Sequence, residues 1–331
     1  MAGHKDGAQG RMTLWGIEVF AAIAETGSIS DAARRVGASA STVSQQLSNL
    51  EAALGAGLLD RAARPIRLTP AGRIFLRRAR AILGEASLAR SELANRDLSQ
   101  LQRLRLGVIE DFDADVTPRL LTDMAGLLQS CQFLLETGAS HRLFDQLETR
   151  VLDVIVAADS GPPADWMERY PLLREPFVAA VPIGRGGAVT LADLADLPLI
   201  QYTQRHLMGR QIAAHLARHA VEVKHRFEMD SYHAILAMVA EQVGWTILTP
   251  LGFLRAHRFN DRVTMVPLPL PPLSRSLSLC ARRDSLGAIP GDIALRLRLI
   301  LQDMVVAPVL DRFGWLDGDL QVVSAAADQV P

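Results

Sequence analysis

The sequence predicts an α+β protein: an N-terminal all-α winged helix-turn-helix with a long linker helix, then a two-lobed α/β domain. Three observations predict it. Residues 28–71, SISDAARRVGASASTVSQQLSNLEAALGAGLLDRAARPIRLTPA, read as helix, tight turn, helix and arginine-bearing hairpin. A helix-patterned stretch without proline follows Pro70. From Leu104 onward, strand patterns alternate with helix patterns. The expected boundaries are 12–69 for the winged helix-turn-helix and 70–98 for the linker helix. The two-lobed domain covers 104–303, with lobe one at 104–175 and 274–303 and lobe two at 176–270. A tail at 304–331 shows little periodicity and receives no role.

Each N-terminal element has a local cause. Thr13 can cap a first helix whose apolar positions Leu14, Ile17, Ala21 and Ala24 recur at helical spacing. Gly27 ends it. A short second helix starts at Ser28 or Ser30 and ends near Val36, and Gly37-Ala38-Ser39 forms the turn. In the third helix Val43, Leu47, Leu50 and Leu54 bury one face. The other face carries Ser41, Thr42, Ser44, Gln45, Ser48 and Asn49, small hydrogen-bonding side chains suited to base edges and phosphate oxygens. Leu58 to Leu68 alternates as a hairpin around Ala63-Arg64-Pro65, the wing. Such an order presents one helix end to the DNA major groove and a basic ribbon to the neighbouring backbone.

The linker helix starts at Thr69-Pro70. Phe75, Ala79, Ile82, Ala86, Ala89 and Leu93 repeat along it at three-four spacing. A seam on a helix leaving a small domain predicts a dimer contact.

The larger region reads as LRLGVIED strand, 117–129 helix, CQFLLETGA strand, 141–150 helix and VLDVIVAAD strand, which predicts a parallel sheet flanked by helices. A second α/β set begins at Phe177. Pro267, Pro269, Pro271 and Pro272 mark a stiff crossing between the lobes.

Charge and composition narrow the function. The 331 residues carry a net charge of −1 and are 49% hydrophobic. That average hides an asymmetry. Residues 31–80 hold nine arginines (34, 35, 61, 64, 67, 73, 77, 78 and 80) against Asp31, Glu51 and Asp60. A local basic patch is what phosphate attraction needs. The two cysteines, Cys131 and Cys280, make no disulfide framework and fit a reducing compartment. No secretion signal or membrane span is expected, and the protein is read as cytoplasmic and nucleoid-associated. No GxSxG, phosphate loop or dinucleotide glycine motif occurs, so no catalytic residue, metal or cofactor is assigned.

Residues 14–98, through GSISDAARRVGAS, TVSQQLSNLEAALG and LLDRAARPIRLTPAG, resemble the DNA-binding portion of LysR-type bacterial transcriptional regulators. Residues 104–303 are similar to that family's effector domain through VIEDF, LETGAS, LDVIVAAD and DSYHAILAMVAEQVGWTILTP. The resemblance implies lobes like those of periplasmic binding proteins, with a small-molecule effector in the cleft between them. It also implies double-stranded operator DNA as partner, a homodimer through the linker helices, a homotetramer through the effector domains, and contact with RNA polymerase. One departure matters. Between Ser39 and Leu54 the third helix has no Lys or Arg. Base reading is therefore expected from Ser41 and Gln45, and positioning from the arginines. The candidate DNA-binding residues are Ser30, Arg34, Arg35, Ser39, Ser41, Thr42, Ser44, Gln45, Ser48, Arg61, Arg64 and Arg67.

Glu110 and Asp111 follow the first strand of the larger domain and Ser140 follows the second, at the strand ends where ligands gather in open α/β sheets. The family pattern adds Thr203, Gln204, Ser231 and Thr249. Ser140 and Ser231 equally suit helix caps. The two acids point to a neutral, cationic or amine-bearing effector if they face inward, and to ordinary solvated side chains if they do not. His215 and His219 stand four apart on a helix, but HLARH lacks the glutamate of a zinc-hydrolase pattern. Cys131 and Cys280 could report oxidation, as in one branch of the family, yet each sits among apolar neighbours. The alternative function is a solute-binding or enzyme-like α/β protein with an incidental helical extension, and the basic wing argues against it. A non-specific nucleoid protein would not need two lobes.

Overall fold

The computed structural model describes residues 11–94, 101–128, 130–185, 187, 190–221 and 223–323. The chain divides into two units at Ala94. The first unit contains α1 (Leu14–Thr26), α2 (Ile29–Val36), α3 (Ala40–Leu54), β1 (Leu59–Asp60), β2 (Arg67–Leu68) and α4 (Pro70–Ala94). Thr13, Ser28 and Ser39 cap the first three helices through side-chain oxygens. Gly37 closes α2 at φ 67°, a backbone angle that favours glycine. Val43, Leu47 and Leu50 point into a core built on Ile17, Phe20 and Ile23. β1 and β2 pair antiparallel, Leu59 opposite Leu68.

The expected dimer seam needs correcting at its first two positions. The Phe75 ring lies 5.3 Å from that of Phe20, and Ala79 is wholly buried in the same core. The first turns of α4 are thus held by their own domain. Ile82 is partly buried against that core as well, and Ala86 is half-buried. The Leu93 side chain lies outside the described residues.

The second unit opens with β3 (Arg103–Val108), α5 (Val116–Leu127), β4 (Gln132–Thr137), α6 (Ser140–Glu148) and β5 (Val154–Ala158). β6 (Met167–Pro176) and β7 (Val178–Pro182) follow, then β8 (Leu199–Tyr202), α7 (Leu207–Arg218), β9 (His225–Met229), α8 (Tyr232–Ala240), β10 (Thr246–Leu248), α9 (Pro250–Arg255) and β11 (Val263–Pro267). The chain closes with β12 (Ser274–Arg282), α10 (Ile289–Leu301), α11 (Ala307–Arg312) and β13 (Gln321–Val322). One sheet has the order β13-β6-β12-β5-β3-β4. The other lobe holds β10-β7-β11 and β8-β9, joined by a bridge between Leu199 and Trp245.

The expected parallel sheet is in fact mixed. β3 pairs parallel with β4 and β5, as helical crossovers require, but β12 pairs antiparallel with both β5 and β6. The cause is the double crossing between lobes. β6 leaves the first lobe and β12 returns to it, side by side. β6 is also the strand that periodicity missed. Pro171 and Pro176 argue against a central strand. The register with β12 slips beside Pro171, between Leu277 and Ser278, so a bulge absorbs the irregularity.

Residues 304–323 of the tail are structured, although the sequence shows little periodicity there. Pro308 has no N–H to donate, and just before it the helix widens into a π turn at Gln302–Val306. Val305, Val306, Val309, Phe313, Leu316 and Leu320 are buried. Val322 pairs with Leu173 of β6 in the first lobe. On the other lobe, Phe313 meets Phe253 of α9 edge-on at 6.0 Å, and Arg312 donates to the Asn260 carbonyl at 2.7 Å. The tail is therefore a strap across both lobes. Phe313→Ala should lower unfolding free energy by about 3–5 kcal/mol in chemical denaturation, as for other buried aromatics. A change under about 0.5 kcal/mol would mean that the strap carries no stability.

Candidate DNA interface and effector site

The N-terminal turn of α3 is a hydroxyl cluster. Ser39 Oγ accepts from Thr42 N and lies 2.8 Å from both Ser41 Oγ and Thr42 Oγ1. Ser39, Ser41, Thr42 and Gln45 are exposed, while Ser44 and Ser48 are half-buried. Gln45 Nε2 donates to Asn49 Oδ1 at 2.9 Å, which holds the amide along the open face. Ser48 Oγ donates to the Ser44 carbonyl. Ser30 is exposed at the start of α2.

The arginines divide by partner. Arg35 pairs with Glu25 at 2.7 Å, and Arg34 pairs with Asp31 while staying 81% exposed. Arg61 reaches Glu51 Oε2 at 2.6 Å and Ser48 Oγ at 3.2 Å. Arg64 folds back onto the Arg61 and Ala63 carbonyls, and Arg67 is exposed on β2. Arg61 and Arg35 thus brace the fold, whereas Arg34, Arg64 and Arg67 lie open for phosphate.

Glu51 is the link that sequence reasoning missed. Its Oε1 accepts from Leu58 N at 2.7 Å and from Leu59 N at 3.3 Å, and its Oε2 takes Arg61. One carboxylate therefore fixes the wing to the end of α3. The visible signal was an acid amid a run of arginines.

In the second unit, Arg275 is the centre. It is directly opposite Glu175 where β12 and β6 run side by side at the crossing. Its Nε and Nη2 reach Glu175 Oε1 at 2.8 and 2.7 Å, and Nη2 also donates to Thr249 Oγ1 at 3.1 Å. Asp111 Oδ2 lies 3.4 Å from Nη2. Glu175 Oε2 accepts from Leu251 N at 3.1 Å. Asp111 comes from the first lobe and Thr249 and Leu251 from the second, so the joint ties both together. Burial pushes the Glu175 carboxyl above the usual carboxylate range, against the pull of Arg275.

The other expected residues divide between the two lobes. Glu110 is half-buried, and burial raises its carboxyl, opposed by Arg255 and His206. Thr203 Oγ1 donates to Glu228 Oε1 at 2.7 Å, and Gln204 N reaches the same oxygen at 3.3 Å. Ser231 caps α8 by accepting from Ala234 N. Ser140 does not cap α6. Its Oγ accepts from Ala158 N at 3.2 Å inside the first lobe. Tyr202, Tyr232, Arg255, Glu175 and Arg275 were missed. A lone arginine in the apolar alternation of LSRSLSLCA was the available signal.

Comparison with known proteins now adds to this geometry. Residues 14–73 match the family model described as bacterial regulatory helix-turn-helix protein, lysR family, and residues 99–288 match the LysR substrate binding domain. The chain belongs to the LysR family. A LysR-type regulator of this kind is an effector-responsive, DNA-binding transcriptional regulator and not an enzyme. The chain is similar to the DNA-binding transcriptional dual regulator OxyR of Escherichia coli, 26% identical over 83% of this chain and 90% of that protein. It is 32% identical to a probable hydrogen peroxide-inducible genes activator of Mycobacterium avium, over 82% of this chain and 89% of the relative. Among solved structures, a hydrogen peroxide-bound cysteine-to-serine mutant of Corynebacterium glutamicum OxyR aligns with a TM-score of 0.54 at 22% identity. It covers 91% of this chain and 98% of that one. Full-length BenM aligns at 0.52 and 20% identity, over 88% and 97%. At these identities the structures share the fold.

Two further motifs in this LysR-type chain resolve as packing. The His215 ring lies 4.6 Å from that of His219, and its Nε2 is 2.9 Å from the Pro271 carbonyl, which anchors the proline-rich crossing. Among the described residues no cluster of three metal-ligating side chains forms.

Two outcomes test this geometry. Glu51→Ala removes a negative charge beside the DNA face, which alone would strengthen phosphate attraction. Because Glu51 holds the wing, specific DNA affinity should instead fall by about tenfold in fluorescence anisotropy, with Glu51→Gln less affected. A rise would contradict the bracing role. The raised Glu175 carboxyl binds its proton more tightly in the folded state than in the unfolded chain. Its contribution is therefore complete below the ordinary glutamate range and lost as pH rises through the folded value. Melting temperature across that range should decline, and Glu175→Gln should flatten the decline. An unchanged slope in the variant would remove Glu175 as the cause.

Proposed function

We propose that α3 and the wing divide the reading of operator DNA between them. The exposed turn of α3, with Ser41, Thr42, Ser44 and Gln45, reads base edges, and its amides and the Ser39 hydroxyl meet phosphate. Ser30, Arg34, Arg64 and Arg67 position the domain along the backbone, while Arg35, Ser48 and Arg61 hold the elements that carry them. The observation that carries this reading is the segregation of side chains: open hydroxyl and amide groups on α3, open arginines at its flanks. The distal part of α4, through Ile82, Ala86 and Leu93, joins two copies, and the effector domains assemble these into a tetramer that bends DNA and meets RNA polymerase. The protein acts in the cytoplasm at the nucleoid.

The effector binds at the joint between the lobes, among Glu110, Asp111, Thr203, Gln204, Ser231 and Thr249, whereas Ser140, turned onto Ala158 N inside the first lobe, lies outside the set. The relatives' hydrogen peroxide response is not carried over. Burial raises the Cys131 thiol and drives the Cys280 thiol up to about 12, opposite to the direction a peroxide-reactive thiolate needs. The signal read here is a bound molecule.

Two substitutions test the DNA reading. Gln45→Ala should cost about 1–3 kcal/mol at one operator base pair and leave binding to random DNA unchanged. Arg64→Ala should weaken both DNAs alike and lower the salt slope by about one unit. Equal losses on both DNAs for Gln45→Ala would overturn the division.

A further inference from the structure

Charge at the joint is unbalanced in one direction. Glu110, Asp111, Asp113 and Glu175 face Arg255 and Arg275. Arg255 pairs with Asp113 through both terminal nitrogens. Arg275 is held on Glu175 by one hydrogen bond from Nε and an ion-pair contact from Nη2, and the same Nη2 lies 3.4 Å from Asp111 Oδ2. The Asp111 side chain is only 7% exposed, and its Oδ1 has no hydrogen-bond partner. A buried carboxylate oxygen without a donor is costly, and a native structure that keeps one calls for an explanation.

Beside these acids stands a group of aromatic rings. Tyr202 and Tyr232 lie 5.1 Å apart at 37°, and His206 meets Tyr202 edge-on at 5.5 Å. Burial raises the Tyr202 hydroxyl, the Asp111 and Glu110 carboxyls add to that rise, and the hydroxyl donates to the Asp230 carbonyl. The Tyr232 hydroxyl interacts with the Asp111 carboxylate and lies 3.3 Å from Met208 Sδ. Tyrosine faces next to under-compensated carboxylates form a setting that attracts an organic cation and repels an anion.

We propose that the effector of this regulator is a small organic cation, an amine, amidine or guanidine, whose charged head is held by Asp111 and Glu110 against Tyr202 and Tyr232. This rests on the effector site being at the joint between the lobes. Arg275 is shared between Glu175 and Asp111 Oδ2, and Arg255 is paired with Asp113, so the cation supplies positive charge at Asp111 Oδ1 and Glu110. Asp111 Oδ1 accepts from its N–H groups, and the ring faces cover its remaining surface. Because Asp111 and the two tyrosines come from opposite lobes, a cation between them draws the lobes together.

The test uses the full-length protein and probes matched in shape but not in charge: benzamidine, benzamide and benzoate, and butylamine, butanol and butyrate. Thermal shift and equilibrium dialysis are run on wild type, Asp111→Asn and Glu110→Gln. The two cations should raise the melting temperature and the neutral and anionic partners should not. Asp111→Asn should weaken cation binding by about tenfold or more, and Glu110→Gln by less. If Asp111→Asn does not fold, any loss in Glu110→Gln, half-buried at a loop, carries the same decision. Benzoate or butyrate binding that Thr249→Val weakens would overturn the cationic class and leave the joint as the effector site. Cation binding untouched by both acid substitutions would overturn the site itself. No shift with either cation would overturn the proposal of a cationic effector.

Discussion

Arg275 is the interaction on which the effector domain depends. It sits where the two crossing strands run antiparallel, and it gathers Glu175, Asp111 and the Thr249 hydroxyl within 3.4 Å. Removing it would leave two acids facing one another in a buried site. Its position at the crossing also means that any change in the angle between the lobes alters its contacts. A ligand that interacts with this cluster in one lobe arrangement and not another shifts the equilibrium by that difference alone. The tail also ties the two lobes, pairing with β6 on one side and meeting α9 edge-on through Phe313 on the other.

The DNA-binding unit works by a similar economy. Glu51 joins α3 to the wing, Thr69 caps α4 while donating to the Gly57 carbonyl, and Phe75 ties α4 to α1. A Cβ on Gly72 would overlap the Leu58 carbonyl oxygen, so this contact between α4 and the wing admits only glycine. These links leave Ser41, Thr42 and Gln45 on the exposed face of α3. A helix lacking Lys and Arg reads sequence more than charge, and the surrounding arginines supply attraction at a distance from the bases.

Much of this was legible in the sequence because it depends on local pattern. The three N-terminal helices follow from capping residues and apolar spacing, and the wing from alternation around a proline. What was not legible depends on distant partners. Nothing near Phe75 or Ala79 tells that their own domain covers them, so the first turns of α4 read as part of a dimer seam. β6 hides behind two prolines because its bulge is set by β12, about a hundred residues later. Glu110 and Asp111 were visible at a strand end. Their partners Arg255 and Arg275, and the rings of Tyr202 and Tyr232, come from the other lobe or the returning strand. The tail lacked periodicity because it is built from short elements, including a π turn and a two-residue strand.

The most direct test of the account is fluorescence anisotropy of the purified protein on DNA from upstream of its own gene and on a scrambled duplex, each across a salt series. The account predicts affinity for the upstream DNA at least about a thousandfold tighter, with a salt slope set by several phosphates on both DNAs. Equal affinity and equal slope on the two duplexes, with and without the cationic probes, would contradict it.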